Sequence, residues 1–231
     1  MLRTEDISFS YGMVKTLDKV SLTAHPQKVT CVMGRNGVGK TTLMKSIMGI
    51  PPQDSGKVWL GDQDISPLTA NRRARAGLAL VPQGKHIFPK LTVEENLRVA
   101  LEARTDGRRS VPEEIYDLFP VVKTMANRKG GDLSGGQQQQ LAIARAMAGD
   151  PKVLLLDEPT EGIQPNIIER IGTVLSTLVR EKNMAVVIVE QYLDFVREFG
   201  DYFYILNRGS VVAQGATGEL TDHLIASYLN V

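Results

Sequence analysis

The segment 34–42 has the residue types and the spacing of a phosphate-binding loop. It reads GRNGVGKTT and directly follows the apolar run 29–33. The pattern G-x-x-x-x-G-K-[ST] between a strand and a helix surrounds phosphate oxygens with backbone N–H groups and with the positive end of the helix. We expect Lys40 to reach the β- and γ-phosphates of a nucleotide and Thr41 to coordinate Mg²⁺. The other residues predicted to contact the nucleotide here are Gly34, Asn36, Gly37, Gly39 and Thr42.

Two adjacent carboxylates, Asp157 and Glu158, follow the apolar run 153–156. Ligands of parallel sheets bind at the carboxyl ends of the strands. Asp157 would hold Mg²⁺, directly or through water, and Glu158 would orient and deprotonate an attacking water. Taken alone, two acids after a strand are more often an ordinary transition from strand to loop. The phosphate-binding loop in the same chain favours the catalytic interpretation.

A second helix end suited to phosphate follows at residues 133–137, which read LSGGQ. Ser134 is a preferred N-cap residue, and Gln137 three positions later completes a capping-box pattern. We expect Ser134, Gly135, Gly136 and Gln137 to bind a nucleotide phosphate at this helix end. One phosphate-binding loop (P-loop) is enough to bind one γ-phosphate. The presence of a second phosphate-binding helix end in the same chain therefore needs another explanation.

These motifs, in this order, closely resemble the nucleotide-binding subunits of ABC transporters over essentially the whole chain. In that family the LSGGQ signature of one protomer covers the ATP held in the P-loop of the other. The resemblance therefore implies ATP and Mg²⁺ as cofactors and a homo- or heterodimer of ATPase subunits. It also implies transmembrane permease subunits as partners and, indirectly, a solute-binding protein.

The resemblance assigns roles to further residues by position. Tyr11 corresponds to the aromatic residue that stacks on adenine, and Gln83 to the glutamine that senses Mg²⁺ and the attacking water. Gln191 stands where the family usually has a histidine that contacts the γ-phosphate, and Gln164 where it usually has an aspartate. The catalytic group implied in this way comprises Lys40, Gln83, Glu158 and Gln191.

Two sequence segments indicate a subfamily. Residues 81–89 read VPQGKHIFP and residues 160–165 read TEGIQP. Both resemble importers of branched-chain amino acids and related amides, and most closely the second ATPase subunit of urea importers. The resemblance thus implies an ATPase that energises import of urea, short amides or branched-chain amino acids.

Composition limits the alternatives. Lysine and arginine number 27 against 26 acidic residues, so no overall positive field favours nucleic acid, and we expect no nucleic-acid partner. A soluble ABC ATPase acting on nucleic acid or ribosomes and a non-catalytic ATP sensor are the rival functions. No apolar run reaches the roughly 18 residues of a membrane span, and the N-terminus does not read as a secretory signal. We therefore expect a peripheral protein on the cytoplasmic face of the inner membrane, held there by the permease.

The pattern of elements predicts an α/β fold with a helical insert. The resemblance implies that this is a P-loop NTPase core of the ABC ATPase type with an N-terminal antiparallel β subdomain and a helical subdomain. The whole chain 1–231 would be one ABC ATPase domain, with the core at about 1–83 and 150–231 and the helical subdomain at about 84–149. Helices in this insert should begin at capping boxes, Thr92 with Glu95 and Ser110 with Glu113. A hairpin around 204–212 and a closing helix at 220–229 complete the prediction.

Overall fold

The structure, a computed structural model, describes residues 1–229. The strands are β1 (Leu2–Tyr11), β2 (Val14–Ala24), β3 (Lys28–Met33), β4 (Ser55–Leu60), β5 (Gln63–Asp64), β6 (Leu78–Val81), β7 (Val153–Asp157), β8 (Ala185–Val189), β9 (Tyr202–Asn207) and β10 (Ser210–Ala216). The α-helices are α1 (Lys40–Met48), α2 (Ala70–Ala76), α3 (Val93–Val99), α4 (Glu113–Leu118), α5 (Pro120–Thr124), α6 (Gly135–Ala148), α7 (Pro165–Glu181), α8 (Leu193–Phe199) and α9 (Asp222–Tyr228).

The larger sheet has the strand order β10-β9-β3-β8-β7-β6. All its pairings are parallel except that of the edge strand β10 with β9. Strands β7 and β8 are buried throughout because alternate side chains enter two cores on opposite faces of the sheet. In β3, for example, Cys31 and Met33 belong to one core and Val32 to the other. The α/β core is confirmed, and the carboxyl ends of the parallel strands lie along one edge.

The smaller sheet is antiparallel, with the strand order β2-β1-β4-β5. Its inward residues, among them Ile7, Leu17 and Val58, share a core with the apolar side of α1 and with one face of the larger sheet. The predicted N-terminal antiparallel β subdomain is therefore confirmed. The sheet packs behind the helix that follows the phosphate-binding loop.

Helices α3 to α6 lie between β6 and β7. The capping box at Thr92 and Glu95 is formed and begins α3. The box predicted at Ser110 is wrong, because α4 begins at Glu113 with Pro112 as its N-cap and no side-chain cap. A residue before proline is disfavoured in the helical conformation, so the helix begins only after Pro112. The proposed limits of the helical subdomain remain a prediction.

The hairpin of β9 and β10 turns at Arg208 and Gly209, both with positive φ, which suits a two-residue turn. The closing helix α9 starts two residues later than predicted, since the Thr221 hydroxyl accepts from the Leu224 N–H at 3.3 Å and caps it. Within residues 1–229, no helix is long and apolar enough to cross a bilayer.

Arg73 holds the far end of helix α1. Its side chain is fully buried and donates to the carbonyls of Ser46 (2.9 Å), Ile47 (2.7 Å), Ser66 (2.7 Å) and Leu68 (3.0 Å). The first two carbonyls belong to the last turn of α1, where carbonyls run short of intrahelical donors; the Ser46 carbonyl also accepts from the Gly49 N–H at 3.0 Å. Burial lowers the pKa of the Arg73 guanidinium from its usual value. Arg73 thus secures the helix whose other end carries Lys40.

Replacing Arg73 with alanine should lower the free energy of unfolding by about 2–4 kcal/mol, because several buried carbonyls lose their donors. Arg73→Lys should recover little, since one ammonium cannot reach all these acceptors. Urea denaturation followed by the fluorescence of Trp59, the single tryptophan, measures this. Arg75→Ala on the same helix is the control and should cost about 0.5 kcal/mol or less. An Arg73→Ala protein as stable as this control would refute the role.

Candidate functional site

A cleft of about 530 Å³ opens at the carboxyl edge of the parallel strands. It contains most of the predicted nucleotide and catalytic residues together with several that the sequence did not single out. Its lining residues are Thr16, Asn36, Gly37, Gly39, Lys40, Thr41, Thr42, Gln83, Glu158, Thr160, Glu161, Glu190, Gln191 and Tyr192. The loops after β3, β6, β7 and β8 all contribute, as expected where parallel strands end.

Lys40 is the first residue of α1, and its ammonium lies under the loop. Its Nζ donates to the carbonyls of Gly34 at 2.7 Å and Arg35 at 2.9 Å, and lies 3.9 Å from Glu158 Oε1. Burial lowers the pKa of Lys40, while the neighbouring carboxylates, Glu158 first, oppose that shift. The ammonium is therefore held in place and faces the carboxylates across the cleft.

Glycine is required at Gly34 and Gly39 for steric reasons. A Cβ on Gly34 would lie 2.4 Å from the carbonyl oxygen of Leu206, and one on Gly39 would lie 2.8 Å from that of Thr16. Both residues also have positive φ, which side chains disfavour. Gly34 does not line the cleft and instead presents its carbonyl to Lys40.

Asp157 lies beneath the cleft and has the properties of a ligand for a hard cation. Its side chain is 2% exposed, and Oδ1 has no hydrogen-bond partner. Burial raises the pKa of Asp157, whereas a hydrogen bond from the Thr41 hydroxyl lowers it. Among residues 1–229 no cluster of three or more acidic, histidine or cysteine side chains could hold a metal alone. The pair of oxygen donors at Asp157 and Thr41 fits Mg²⁺, which commonly uses one or two protein ligands together with phosphate oxygens.

Glu158 is the centre of a hydrogen-bond network formed by four loops. It accepts from Gln83 Nε2 at 3.0 Å through Oε2 and from Gln191 Nε2 at 2.7 Å through Oε1. Gln191 Nε2 also donates to Asn36 Oδ1 at 2.8 Å. Glu158 has φ of 49°, a left-handed conformation directly after β7. The structure thus brings together Asn36, Gln83, Glu158 and Gln191, four of the predicted site residues, while their roles remain proposals.

Glu190 was not predicted as a site residue, but it connects two of the loops that line the cleft. It is 3% exposed and accepts from the Thr160 hydroxyl (2.6 Å) and the backbone N–H groups of Thr160 (3.2 Å), Gln191 (2.8 Å) and Tyr192 (3.1 Å). Every partner is a donor, which suits a carboxylate. Glu190 therefore joins the loop after β7 to the loop after β8. No spacing in the sequence signals a contact between residues 30 positions apart.

Tyr11 does not line the cleft. Its side chain is 52% exposed, and its ring packs edge-on against Phe9 with centroids 4.8 Å apart. From the same antiparallel sheet, Thr16 of β2 reaches the cleft instead. The stacking role implied for Tyr11 by the family resemblance remains a prediction.

The signature segment lines a different cavity of about 420 Å³. Ser134 caps α6, and Gln137 Oε1 accepts from the Ser134 N–H at 2.9 Å, so the predicted capping box is formed. Gln164 and Arg170 lie in the same cavity. The two cavities share no lining residue. Within one chain the predicted nucleotide contacts are therefore divided between two separate places.

Comparison with known proteins places this site in a family context. The ABC transporter family matches residues 17–161. The probable branched-chain amino acid transport ATP-binding protein LivF of Archaeoglobus fulgidus is 37% identical, over 96% of this chain and 95% of that protein. The lipopolysaccharide export system ATP-binding protein LptB of Haemophilus influenzae is 35% identical, over 96% and 93%.

A solved dimeric ATP-binding cassette in a post-hydrolysis state with ADP and Pi superposes with a TM-score of 0.85. It is 27% identical, and the match covers 94% of this chain and 99% of that one. The family match includes the phosphate-binding loop, the signature and both carboxylates after β7. By sequence and by fold, the chain belongs to the ABC transporter family.

Proposed function

We propose that this chain is the ATP-binding and ATP-hydrolysing subunit of an ABC transporter and that it works in a dimer of ATPase subunits. The observation that carries this proposal is the division of the nucleotide contacts. The cleft contains the P-loop and the catalytic network, while the signature helix end lines a cavity that shares no residue with the cleft. A second ATPase subunit, identical or different, would bring its signature to this cleft and complete the site.

In this proposal the loop and α1 bind the ATP phosphates, with Lys40 beside the β- and γ-phosphates. Mg²⁺, held by Thr41 and Asp157 with Gln83 nearby, would neutralise charge on the phosphates when bound. Glu158 would accept a proton from the attacking water while the water oxygen bonds to the γ-phosphorus, and the bond from the γ-phosphorus to the bridging oxygen breaks with ADP as the leaving group. Gln191 donates from its amide to the γ-phosphate as charge develops there. The buried Glu190 would fix the position of Gln191 relative to the loop after β7.

For the transported solute we propose urea, a short amide or a branched-chain amino acid, taken up by an importer. This proposal is supported by the sequence segments 81–89 and 160–165 and by the similarity to the LivF protein. Export is the second candidate, because LptB relatives are nearly as similar. The subunit would lie on the cytoplasmic face of the membrane, bound to permease subunits.

Isolation of the intact complex decides between these two. Affinity purification of the tagged chain from its native membranes should recover permease subunits and a solute-binding protein. Binding of radiolabelled urea or leucine to that protein would then identify the solute. Recovery of a lipid-export assembly without a solute-binding protein would refute import.

Glu158→Gln should retain ATP binding but lose hydrolysis by about 10²-fold or more, because it keeps the side-chain shape and removes the base. It should also accumulate an ATP-bound dimer, detectable by size-exclusion chromatography. Phosphate release measures the rate, and Glu181→Gln at the end of α7 is a control that should match wild type. Hydrolysis within a few-fold of wild type would show that Glu158 is not the base.

Phe88 is the proposed anchor for a cytoplasmic helix of the permease. It is 44% exposed, and the Arg145 guanidinium lies 5.2 Å from its ring centre. Phe88→Asp should impair complex assembly or transport, since an apolar anchor becomes charged, while hydrolysis by the isolated subunit persists. Co-purification of the permease measures assembly. Val212→Asp on β10, where the valine is 41% exposed, is the matched control. Normal assembly and transport by Phe88→Asp would contradict this docking site.

Gln191 tests whether an amide can take the place of the family's usual histidine. Gln191→Ala should lower turnover, because it removes a donor aimed at the γ-phosphate. Gln191→His should be at least partly active and should gain a step in its pH–rate profile near pH 6–7, about the free imidazole value. The wild type should lack that step, since an amide does not titrate there. Wild-type turnover in Gln191→Ala would exclude this contact.

A further inference from the structure

The side-chain amide of Gln83 is held by two carboxylates. Its Nε2 donates to Glu158 Oε2 and to Glu161 Oε2, each at 3.0 Å. Ionised carboxylates only accept hydrogen bonds, so the nitrogen end of the amide must face them. The amide is thereby fixed in one of its two possible orientations. Glu161 lines the same cleft, but no role for it follows from its place in the sequence.

We propose that Glu161 is a positioning residue that orients Gln83 for the metal of the bound nucleotide. With Nε2 engaged by Glu158 and Glu161, Oε1 is the end of the amide left to coordinate a cation. A hard cation such as Mg²⁺ accepts amide oxygen as a ligand and is repelled by the amide's N–H groups. This inference rests on the proposed function, since it requires Mg²⁺ and nucleotide in the cleft.

The backbone around Glu161 is held by contacts of its own. The Glu161 N–H donates to the Glu158 carbonyl at 3.3 Å, and Thr160 is bound through both its N–H and its hydroxyl to the buried Glu190. The Glu161 carboxylate therefore extends from an anchored turn to meet Gln83. An exposed carboxylate on an unanchored loop would give Gln83 little orientation, because ordering it costs entropy.

Substitutions at Glu161 separate hydrogen bonding from charge. Glu161→Gln removes the charge but keeps a carbonyl that can accept from Gln83 Nε2. Glu161→Ala removes both. A purely electrostatic role predicts that the two variants behave alike, whereas the positioning role predicts that glutamine rescues most of the effect.

The experiment measures how binding of a fluorescent, non-hydrolysable ATP analogue depends on Mg²⁺ concentration. Glu161→Ala should raise the Mg²⁺ concentration for half-maximal enhancement of binding by about 3- to 10-fold, the effect of one modest hydrogen bond. Glu161→Gln should remain within about 2-fold of wild type, as should the control Glu181→Ala, a variant distant in sequence on α7. In a Gln83→Ala background, Glu161→Ala should add no further shift.

Each outcome has a separate meaning. An unchanged Mg²⁺ dependence in Glu161→Ala, equal shifts in the alanine and glutamine variants, or an undiminished shift in the Gln83→Ala background would overturn the role of Glu161 alone. Failure of the wild-type protein to bind the analogue in an Mg²⁺-dependent way would overturn the proposed function and this inference with it.

Discussion

The balance of charge in the cleft is the constraint on which the rest of the site depends. Among the described residues lining it, Lys40 is the only cation, and it faces the carboxylates of Glu158, Glu161 and Glu190. Asp157 adds a fourth carboxylate beneath them. These carboxylates oppose the binding of a nucleoside triphosphate, because like charges at a few ångströms in a partly buried site interact strongly, and a divalent cation would offset that repulsion. In the function that we propose, Mg²⁺ would support both the binding of the nucleotide and its hydrolysis.

The larger sheet holds these charged residues at defined positions around the cleft. Three of the four loops begin at the carboxyl ends of β3, β7 and β8, which are buried on both faces, so the spacing of these strands sets the spacing of the loops. Glu190 then ties two of these loops together, because it accepts two hydrogen bonds from Thr160 and two from backbone N–H groups of its own loop. Arg73 secures the opposite end of α1. The result is a half-site held by these contacts, and the second helix end, at Ser134, lines a separate cavity.

The sequence predicted those parts of the site whose chemistry depends on neighbours along the chain. The phosphate-binding loop, the two acids after β7 and the capping box at Ser134 are local patterns, and the structure contains each of them. Glu161 could not be found in this way, because it meets Gln83 across 78 positions. The helix predicted to begin at a Ser110 cap begins instead after Pro112. The packing of Tyr11 against Phe9 likewise depends on the sheet and not on a motif.

If one working site needs the cleft of one subunit and the signature of another, two inactive variants should restore activity when they are mixed. Lys40→Ala damages only the cleft, and Ser134→Arg blocks only the signature helix end. Each variant alone should hydrolyse ATP at least about 10²-fold more slowly than wild type. An equimolar mixture should recover about one quarter of the wild-type rate, since random pairing gives half heterodimers with one intact composite site each. A mixture no faster than the separate variants, or a fully active Ser134→Arg protein, would contradict a site shared between two subunits.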